Sequence, residues 1–240
     1  MKLLVTFIIL KHLGFALNSG LVVRWPFQNS VVDVVQGVAL TVSSGVSYTQ
    51  NHLGQSNSAF AFSTSKYGTA PSNFYLYGGA FTISVWAYVI SISNTFEAML
   101  DFGLAMDSDN VWFGFYKTGS QVYLRLLIWY GTASDYMITT SSTVQLNSWN
   151  FLTATHSGTE ATLYINGIVG ATQSMSPPHY ISRTSNFVGS SNWGEQLTSS
   201  KLDDLRIYNR LLSSGEITAL MNLGNLNVQI QIVSIKITTG

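Results

Sequence analysis

The charged side chains that could do chemistry are concentrated in one short segment, KLDDLRIYNRLL (201–212). Its first ten residues hold five charged side chains, although Asp, Glu, Lys and Arg make up only 9% of the 240 residues. The adjacent carboxylates of Asp203 and Asp204 could act as a catalytic pair, bind a metal ion or pair with the arginines beside them. Adjacent side chains of a β-strand point to opposite faces, so two carboxylates meant to share a substrate would be separated. The segment therefore favours ion pairing, leaves metal binding open and gives little support to catalysis.

As a strand, this segment divides its side chains between two faces of a sheet. One face, predicted to be the core, would hold Asp203, Leu205 and Ile207, and the other Leu202, Asp204, Arg206 and Tyr208. Residues two apart on one face are close enough to form an ion pair, so Asp204 is expected to bond Arg206. Asp203 would then lie at the rim of the fold and cap a loop.

Other candidates for catalysis are sparse and scattered. The chain has no cysteine, which excludes disulfides and thiol catalysis. Histidines occur only at positions 12, 52, 156 and 179, and glutamates only at 97, 160, 195 and 216, so neither type forms a cluster in the sequence. No phosphate-binding glycine loop, nucleophile elbow or His-Glu metal helix occurs. The sequence therefore predicts a protein that is not an enzyme.

Length and charge narrow the class of protein further. A chain of 240 residues can bury an ordinary core as one all-β domain. Eleven basic side chains balance eleven acidic ones, and no run of Lys and Arg could neutralise a phosphate backbone, so nucleic acid is not an expected partner.

The N-terminus has the composition of a secretory signal peptide. A lysine at position 2 is followed by an apolar run, Leu3 to Leu10, and by small residues at Gly14 and Ala16. We therefore predict a leader within residues 1–19 and an extracellular protein, with a first edge strand as the alternative. The apolar run is too short to cross a bilayer, which needs roughly 20 residues.

The elements that would position a site are almost all strands. The segment 81–89 alternates two sets of side chains, and the segment 149–173 contains two hairpin turns, at Ser157-Gly158 and at Asn166-Gly167. One helix is expected over 213–222, because Ser213 and Glu216 have the spacing of a capping box. The alternating apolar tail 226–240 would complete a sheet or begin a neighbouring module. These patterns predict an all-β sandwich or barrel with one short C-terminal helix, over residues 20–225.

The order of these features resembles the laminin-G-like domains of the concanavalin A-like lectin/glucanase superfamily. The resemblance rests on seven segments in the family's order: LVVRWPF (21–27), FAF (60–62), FTISVW (81–86), MLDFG (99–103), SWNFL (148–152), TLYING (162–167) and KLDDLRIYNRLLSSGEITAL (201–220). It implies a jelly-roll sandwich of two antiparallel sheets, one of them concave, whose ligands bind on that concave face or at the loops along its rim.

The resemblance also bears on chemistry. Glucanases of this superfamily carry E-x-D-x-E or a near variant on one strand, and no two glutamates of this chain have that spacing. A degenerate or distant-loop glycoside hydrolase is the alternative, with Asp101 or Glu195 as its essential residue. Similar domains often hold Ca²⁺, for which Asp33 and Asp204 are the candidates, although Gln28 stands where an acidic residue is usual.

We therefore expect a non-catalytic recognition or adhesion module that binds a glycan or an extracellular protein surface. The candidate ligand-binding residues are Trp193 and Asn192 in a Gly/Ser-rich loop, Tyr130 on the concave face, and Asp109 in an acidic turn. A structural module of a larger assembly is the third class, which the apolar tail favours.

Overall fold

The chain folds into two antiparallel β-sheets that pack face to face. The computed structural model describes residues 17–43, 47–73, 75–76, 78–132 and 134–223. In chain order the strands are β1 (Leu21–Trp25), β2 (Thr41–Val42), β3 (Ser47–Thr49), β4 (Ala59–Ser63), β5 (Gly68–Ala70), β6 (Phe81–Ser91), β7 (Phe96–Gly103), β8 (Val111–Thr118), β9 (Gln121–Tyr130), β10 (Ser134–Thr143), β11 (Trp149–His156), β12 (Glu160–Ile165), β13 (Ile168–Ser174), β14 (Ser185–Val188) and β15 (Ser199–Tyr208). A helix, α1 (214–223), follows them.

The two sheets differ in strand number and order. The eight-stranded sheet runs β13-β12-β11-β6-β15-β4-β3, with β1 also paired to β15, and the seven-stranded sheet runs β10-β9-β8-β7-β14-β5-β2. Non-consecutive neighbours in both sheets are the mark of a jelly roll. The predicted fold class, a sandwich of two antiparallel sheets with one short C-terminal helix, is confirmed.

The core lies between the sheets and follows from the alternation of apolar residues. One of the two alternating sets of side chains on β6 is fully buried in one apolar cluster: Phe81, Ile83, Val85, Ala87 and Val89. Side chains of the seven-stranded sheet, such as Phe113 and Leu126, fill the same cluster from the other side. This period of two is what a strand with one buried face requires.

The predicted meander of three strands is present as β11, β12 and β13. Leu152 pairs with Ile165 across the first hairpin, and Ile165 pairs with Ile168 across the second. Asn166 and Gly167 have φ angles of 54° and 77°. A two-residue type I′ turn needs positive φ at both positions, which is why Asn-Gly predicted it.

Helix α1 covers part of the outer face of the eight-stranded sheet. The predicted capping box is formed, since Glu216 N donates to Ser213 Oγ at 3.3 Å and Ser213 N donates to Glu216 Oε2 at 2.9 Å. The apolar face of the helix packs on strand residues in a second cluster that contains Phe151, Tyr208, Ile217 and Leu220. Capping and burial together explain why so short a helix is stable.

Leu17 joins this second cluster from the N-terminal side. Its side chain is buried, and the carbonyl of Ser19 accepts a hydrogen bond from Arg210 Nε at 2.7 Å. Residues 17 and 19 thus contact the sandwich, and the boundary at residue 19 stays a prediction. The remainder of the predicted leader and the predicted tail strand 226–240 lie outside the described residues.

The predicted faces of β15 are correct from Leu205 onward and wrong for Leu202 and Asp203. A register irregularity separates Asp203 from Arg206, and Asp204 has a φ of 51°, so one residue bulges out of the strand. The bulge shifts the alternation and places Leu202 in the core together with Leu205. Asp203 is therefore on the outer face rather than the core face, where it is buried and bonded to His52 Nδ1.

The expected pairing of Asp204 with Arg206 is present and is reinforced by a second arginine. Asp204 Oδ2 accepts from Arg206 Nη2 at 2.6 Å, and Oδ1 accepts from Arg24 Nε at 2.6 Å. Burial alone would raise the pKa of this carboxyl, but the charges of Arg206 and Arg24 outweigh it and lower the pKa. The carboxylate thus joins β1 to β15 at the bulge.

Replacing Asp204 by Asn should keep the backbone conformation, which Asn tolerates, while removing the charge. We expect the free energy of unfolding at pH 7 to fall by about 3 kcal/mol, because two partly buried guanidinium groups lose their partner. The folded-state pKa is lowered, so the carboxylate's contribution is present above the unfolded pKa of about 4 and is lost as the pH falls. Urea unfolding should show a difference in unfolding free energy between wild type and variant that is smaller at pH 3 than at pH 7. Glu160→Gln, which removes an exposed charge, is the control; equal curves for Asp204→Asn and wild type would contradict the assignment.

Candidate functional site

The most distinctive surface feature lies on the outer face of the seven-stranded sheet. Strand β9 points one set of side chains into the core, including Leu126 and Ile128, and the opposite set outward. The outward set comprises Arg125, Leu127 and Trp129, which line a cavity of about 350 Å³. The remaining lining residues come from three other elements of the sheet and from one loop: Phe96 (β7), Trp112 (β8), Met137 (β10), Trp193 and Glu195. Six of these eight side chains are apolar or aromatic, as is usual for a ligand site.

The loop of residues 189–198, here called the cover loop, forms one wall of this cavity. Two backbone hydrogen bonds join it to β7. Gly189 N donates to Met99 O at 2.9 Å, and Ala98 N donates to Glu195 O at 3.1 Å. Gly189 has a φ of 82°, and a Cβ there would lie 2.2 Å from the Phe62 ring. Only glycine fits this entry to the loop.

Two buried carboxylates of β7 hold the cover loop from below. Glu97 accepts hydrogen bonds from Thr198 N at 2.9 Å and from Thr198 Oγ1 at 2.6 Å. Asp101 accepts from Asn192 N at 2.7 Å, from Asn192 Nδ2 at 2.8 Å and from Asn110 Nδ2 at 3.0 Å. Both carboxylates are fully buried. Each buried charge is thus satisfied by several donors, as burial requires.

Burial raises the pKa of Asp101 to about 6, although the hydrogen bonds from Asn192 and Asn110 favour the charged form. The carboxylate has no exposed surface, so a ligand in the cavity cannot reach it. Asp101 therefore acts as a support of the cover loop.

Trp193 stands at the mouth of the cavity and is held from two sides. Its indole Nε1 donates to Asp107 Oδ1 at 3.0 Å, and its ring lies 6.2 Å from that of Trp129 at an angle of 60°. The ring is neither fully buried nor fully exposed. The sequence predicted an indole in a loop that either packs at the rim or stacks on a ligand, and the structure places the ring at the rim of the cavity, near Trp129.

Arg125 crosses the floor of the cavity in a fixed orientation. Its Nε donates to Thr139 Oγ1 at 2.8 Å, and its guanidinium carbon lies 3.9 Å from the centre of the Tyr116 ring, in a cation–π contact. Burial lowers the pKa of Arg125 while the charges of Tyr116 and Glu195 oppose the shift, and arginine side chains stay charged in proteins.

Glu195 supplies the cavity's negative charge from the cover loop. Its Oε2 accepts from the Ser191 hydroxyl at 3.1 Å, and its backbone N donates to the same hydroxyl at 3.1 Å. Burial raises the pKa of Glu195, with the Ser191 hydrogen bond and the charge of Arg125 acting in the opposite direction. The cavity thus presents one anion and one cation among aromatic walls.

Asn192 points toward the sheet. Its Nδ2 donates to Asp101 and to the Ser185 carbonyl, and its Oδ1 accepts from the Ser185 hydroxyl at 2.6 Å. These bonds occupy the side chain, and the cavity lining does not include it. The residue positions Trp193, its neighbour in the chain, within the cover loop.

Tyr130 and Asp109 form a separate cluster at the end of the sheet. Tyr130 has the same parity along β9 as the core residue Ile128, opposite to that of the outward residue Trp129. Its ring lies 3.8 Å from that of His179, and His179 Nδ1 bonds Asp109 Oδ1 at 2.5 Å. Asp109 Oδ1 also accepts from Gly131 N at 3.0 Å.

The two predicted calcium ligands have protein partners. Asp33 is fully buried and accepts backbone hydrogen bonds from Arg24 N at 2.6 Å, Val35 N at 3.0 Å and Gln36 N at 2.6 Å. Asp204 is engaged by Arg24 and Arg206. Among the described residues, no group of three or more His, Cys, Asp or Glu side chains could hold a metal ion. Calcium binding by this pair stays a prediction.

The sequence analysis missed Arg125, Trp129 and Trp112 as site residues. A usable signal was present, since the alternation in VYLRLLIWY (122–130) puts Arg125, Leu127 and Trp129 on one face. The sequence did not show which outward sheet face the cover loop would border. The described helical segments also lack the length and apolar character needed to cross a bilayer.

Asp101→Asn tests the support of the cover loop. A neutral amide resembles the protonated acid, which is the folded form below a pKa of about 6. Between pH 4 and pH 6 the folded chain binds more protons at this site than the unfolded chain, so wild-type stability declines as the pH rises. We expect the unfolding free energy of wild type relative to the variant to fall by on the order of 2–3 kcal/mol from pH 4 to pH 7. A constant difference in urea unfolding would contradict this account.

Comparison with known proteins places this architecture. Domain 4 of AbnA, a GH43 extracellular arabinanase from Geobacillus stearothermophilus solved in complex with arabinotriose, is similar with a TM-score of 0.67 and 15% identity, over 84% of this chain and 98% of that chain. The binding domain of Paraclostridial Mosquitocidal Protein 1 is similar with a TM-score of 0.65 and 22% identity, over 86% of this chain and 52% of that chain. The receptor-binding domain of botulinum neurotoxin C/D mosaic serotype has a TM-score of 0.68 and 13% identity, over 85% and 51%.

These similarities concern the fold, and the chain spans about half the length of the two toxin domains. No curated protein sequence is significantly similar to it. Residues 62–218 match the laminin-G-like family profile of the concanavalin A-like lectin/glucanases superfamily. That match covers more than half of the chain and includes strands of both sheets, the cover loop and the start of α1. The chain therefore belongs to the laminin-G-like family of the concanavalin A-like lectin/glucanases superfamily.

Proposed function

We propose that this domain is a non-catalytic recognition module that binds a carbohydrate in the cavity beneath the cover loop. The observation that supports it is the cavity itself, in which aromatic walls surround one guanidinium and one carboxylate. Sugars have apolar C–H faces and polar hydroxyl edges, so a site with aromatic surfaces and a few fixed polar groups is suited to them. Trp193 and Trp129 would supply the stacking surfaces, and Arg125 and Glu195 the hydrogen bonds.

The lining supports binding rather than hydrolysis. Canonical glycoside hydrolysis uses two carboxyl groups that face one glycosidic bond about 5–10 Å apart. Among the described lining residues, Glu195 is the one carboxylate. Asp101, the other residue predicted as essential for a hydrolase, is buried under the cover loop. Its carboxylate accepts hydrogen bonds from Asn192 and Asn110. A hydrolase at this site would lack its second acid.

An extracellular location fits the same proposal. The composition of residues 1–19 suggests a secretory leader, and the arabinanase whose domain is similar is extracellular. That domain was solved in complex with arabinotriose. Cell entry of botulinum neurotoxin type C, which has a similar fold, depends on interaction with two ganglioside molecules. Glycan recognition in this chain is thus in keeping with what similar folds do.

Trp193→Ala should abolish most of the binding. We would first find a ligand on an array of neutral and acidic glycans, with and without a chelator, and then measure affinity by calorimetry. Loss of the stacking surface should weaken binding by about tenfold or more, or about 1.4 kcal/mol. Trp193→Phe should retain most of the affinity, and Tyr130→Ala, which alters the separate cluster at the end of the sheet, should bind as wild type does.

Other results would identify other functions. Binding that disappears with the chelator would support the calcium site predicted at Asp33 and Asp204 and contradict binding through the aromatic cavity alone. Sensitivity to Tyr130→Ala but not to Trp193→Ala would place the ligand at the end of the sheet. No glycan binding, with capture of an extracellular protein or self-association through the 226–240 tail, would contradict the proposal in favour of a protein-binding or structural module.

A further inference from the structure

Two opposite charges face the same cavity from two independent supports. Arg125 belongs to β9 and is fixed by Thr139 of β10 and by the ring of Tyr116 on β8. Glu195 belongs to the cover loop and is fixed by Ser191 and by the backbone bond to Ala98. Neither side chain therefore needs the other in order to be held in place. Both are set before a ligand arrives, which lowers the entropic cost of binding.

Both groups keep hydrogen-bonding capacity for a ligand. The Nε of Arg125 is used by Thr139, but within the described residues its terminal nitrogens donate no hydrogen bond, and a guanidinium offers five N–H donors in all. A carboxylate has about four acceptor positions, of which the Ser191 hydroxyl takes one on Glu195. A ligand hydroxyl can accept from Arg125 and donate to Glu195, and two neighbouring hydroxyls can serve both groups together.

The two charges also make the binding of a charged ligand unfavourable. A ligand carboxylate or sulfate would pair with Arg125 but would bring a second negative charge beside Glu195, and an ammonium group would meet the converse problem at Arg125. Such repulsion is strong where aromatic walls exclude water. The carboxylates just outside the lining strengthen the bias against anions, because Asp107 holds the Trp193 indole and Asp101 lies under the cover loop.

We infer that the Arg125–Glu195 pair makes the cavity selective for an uncharged sugar with vicinal hydroxyls, and that Glu195 is the residue that rejects acidic glycans. This inference rests on the proposed function, since it names the ligand class of the same cavity. Specificity then comes partly from a repulsive element, as in many sites that discriminate between similar ligands.

The test compares neutral oligosaccharides with their uronic acid counterparts of the same linkage. The probes are galactotriose with trigalacturonic acid, and cellotriose with its C6-carboxylate form, measured by calorimetry on the full chain. Wild type should bind at least one neutral member about tenfold more tightly than its acidic counterpart. Glu195→Gln keeps the shape of the side chain and removes the charge, so it should reduce that ratio about fivefold or more, chiefly by tightening uronate binding. Glu160→Gln, a charge removal on the exposed end of β12, should leave the ratio unchanged.

The outcomes separate this inference from the proposed function. Equal or tighter uronate binding by wild type, lost in Trp193→Ala, would overturn the charge selectivity and leave glycan binding in the cavity intact. An unchanged ratio in a folded Glu195→Gln variant would also overturn it. If neither member of any pair binds, or if binding ignores Trp193→Ala, the proposed function and this inference fall together. Because the wild-type ratio is measured without any substitution, a variant that fails to fold does not remove the test.

Discussion

The site depends on the pairing of two buried carboxylates with a loop. Glu97 and Asp101 of β7 are buried where water cannot solvate them, and the cover loop supplies hydrogen bonds to both through Thr198 and Asn192. An ionised group in such a place is tolerated only when its acceptor positions are filled. This requirement holds the loop against the sheet and fixes Trp193 at the mouth of the cavity. Departure of the loop would expose the aromatic floor and leave each buried carboxylate with fewer donors, Ser93 N on Glu97 and Asn110 Nδ2 on Asp101.

The two outer faces of the sandwich are covered by different elements. Helix α1 and Leu17 cover part of the eight-stranded sheet with an apolar cluster, so that face is used for stability. The seven-stranded sheet leaves its aromatic side chains over β7 to β10 under a loop instead of a helix, which produces a cavity. Exposed aromatic surface costs free energy in water and is therefore informative when a fold retains it. The helix that stabilises the fold and the surface available to a ligand therefore lie on different sheets of the sandwich.

The sequence predicted what depends on local pattern and missed what depends on partners distant in the chain. The faces of β6, the Asn166-Gly167 turn and the capping box of α1 follow from periodicity and turn chemistry. The bulge at Asp204 could not be predicted, because a left-handed Asp is favoured there only once Arg24 and Arg206 bind its carboxylate. Of the residues predicted to bind a ligand, Trp193 lines the cavity, and its binding role stays a prediction. Asn192 was assigned to a ligand because nothing in the sequence revealed that Asp101, 91 residues away, binds it.

The central claim is that a carbohydrate binds in the cavity beneath the cover loop. The chain's six tryptophans report on this directly, since Trp112, Trp129 and Trp193 line the cavity while Trp25 is in the core and Trp86 and Trp149 lie on the other sheet. The decisive measurement is a titration with galactotriose and cellotriose, followed by the indole N–H resonances in nuclear magnetic resonance spectra. The account predicts shifts at Trp112, Trp129 and Trp193 with the other three unmoved. Shifts confined to Trp86 and Trp149, or no shift at any indole, would contradict it.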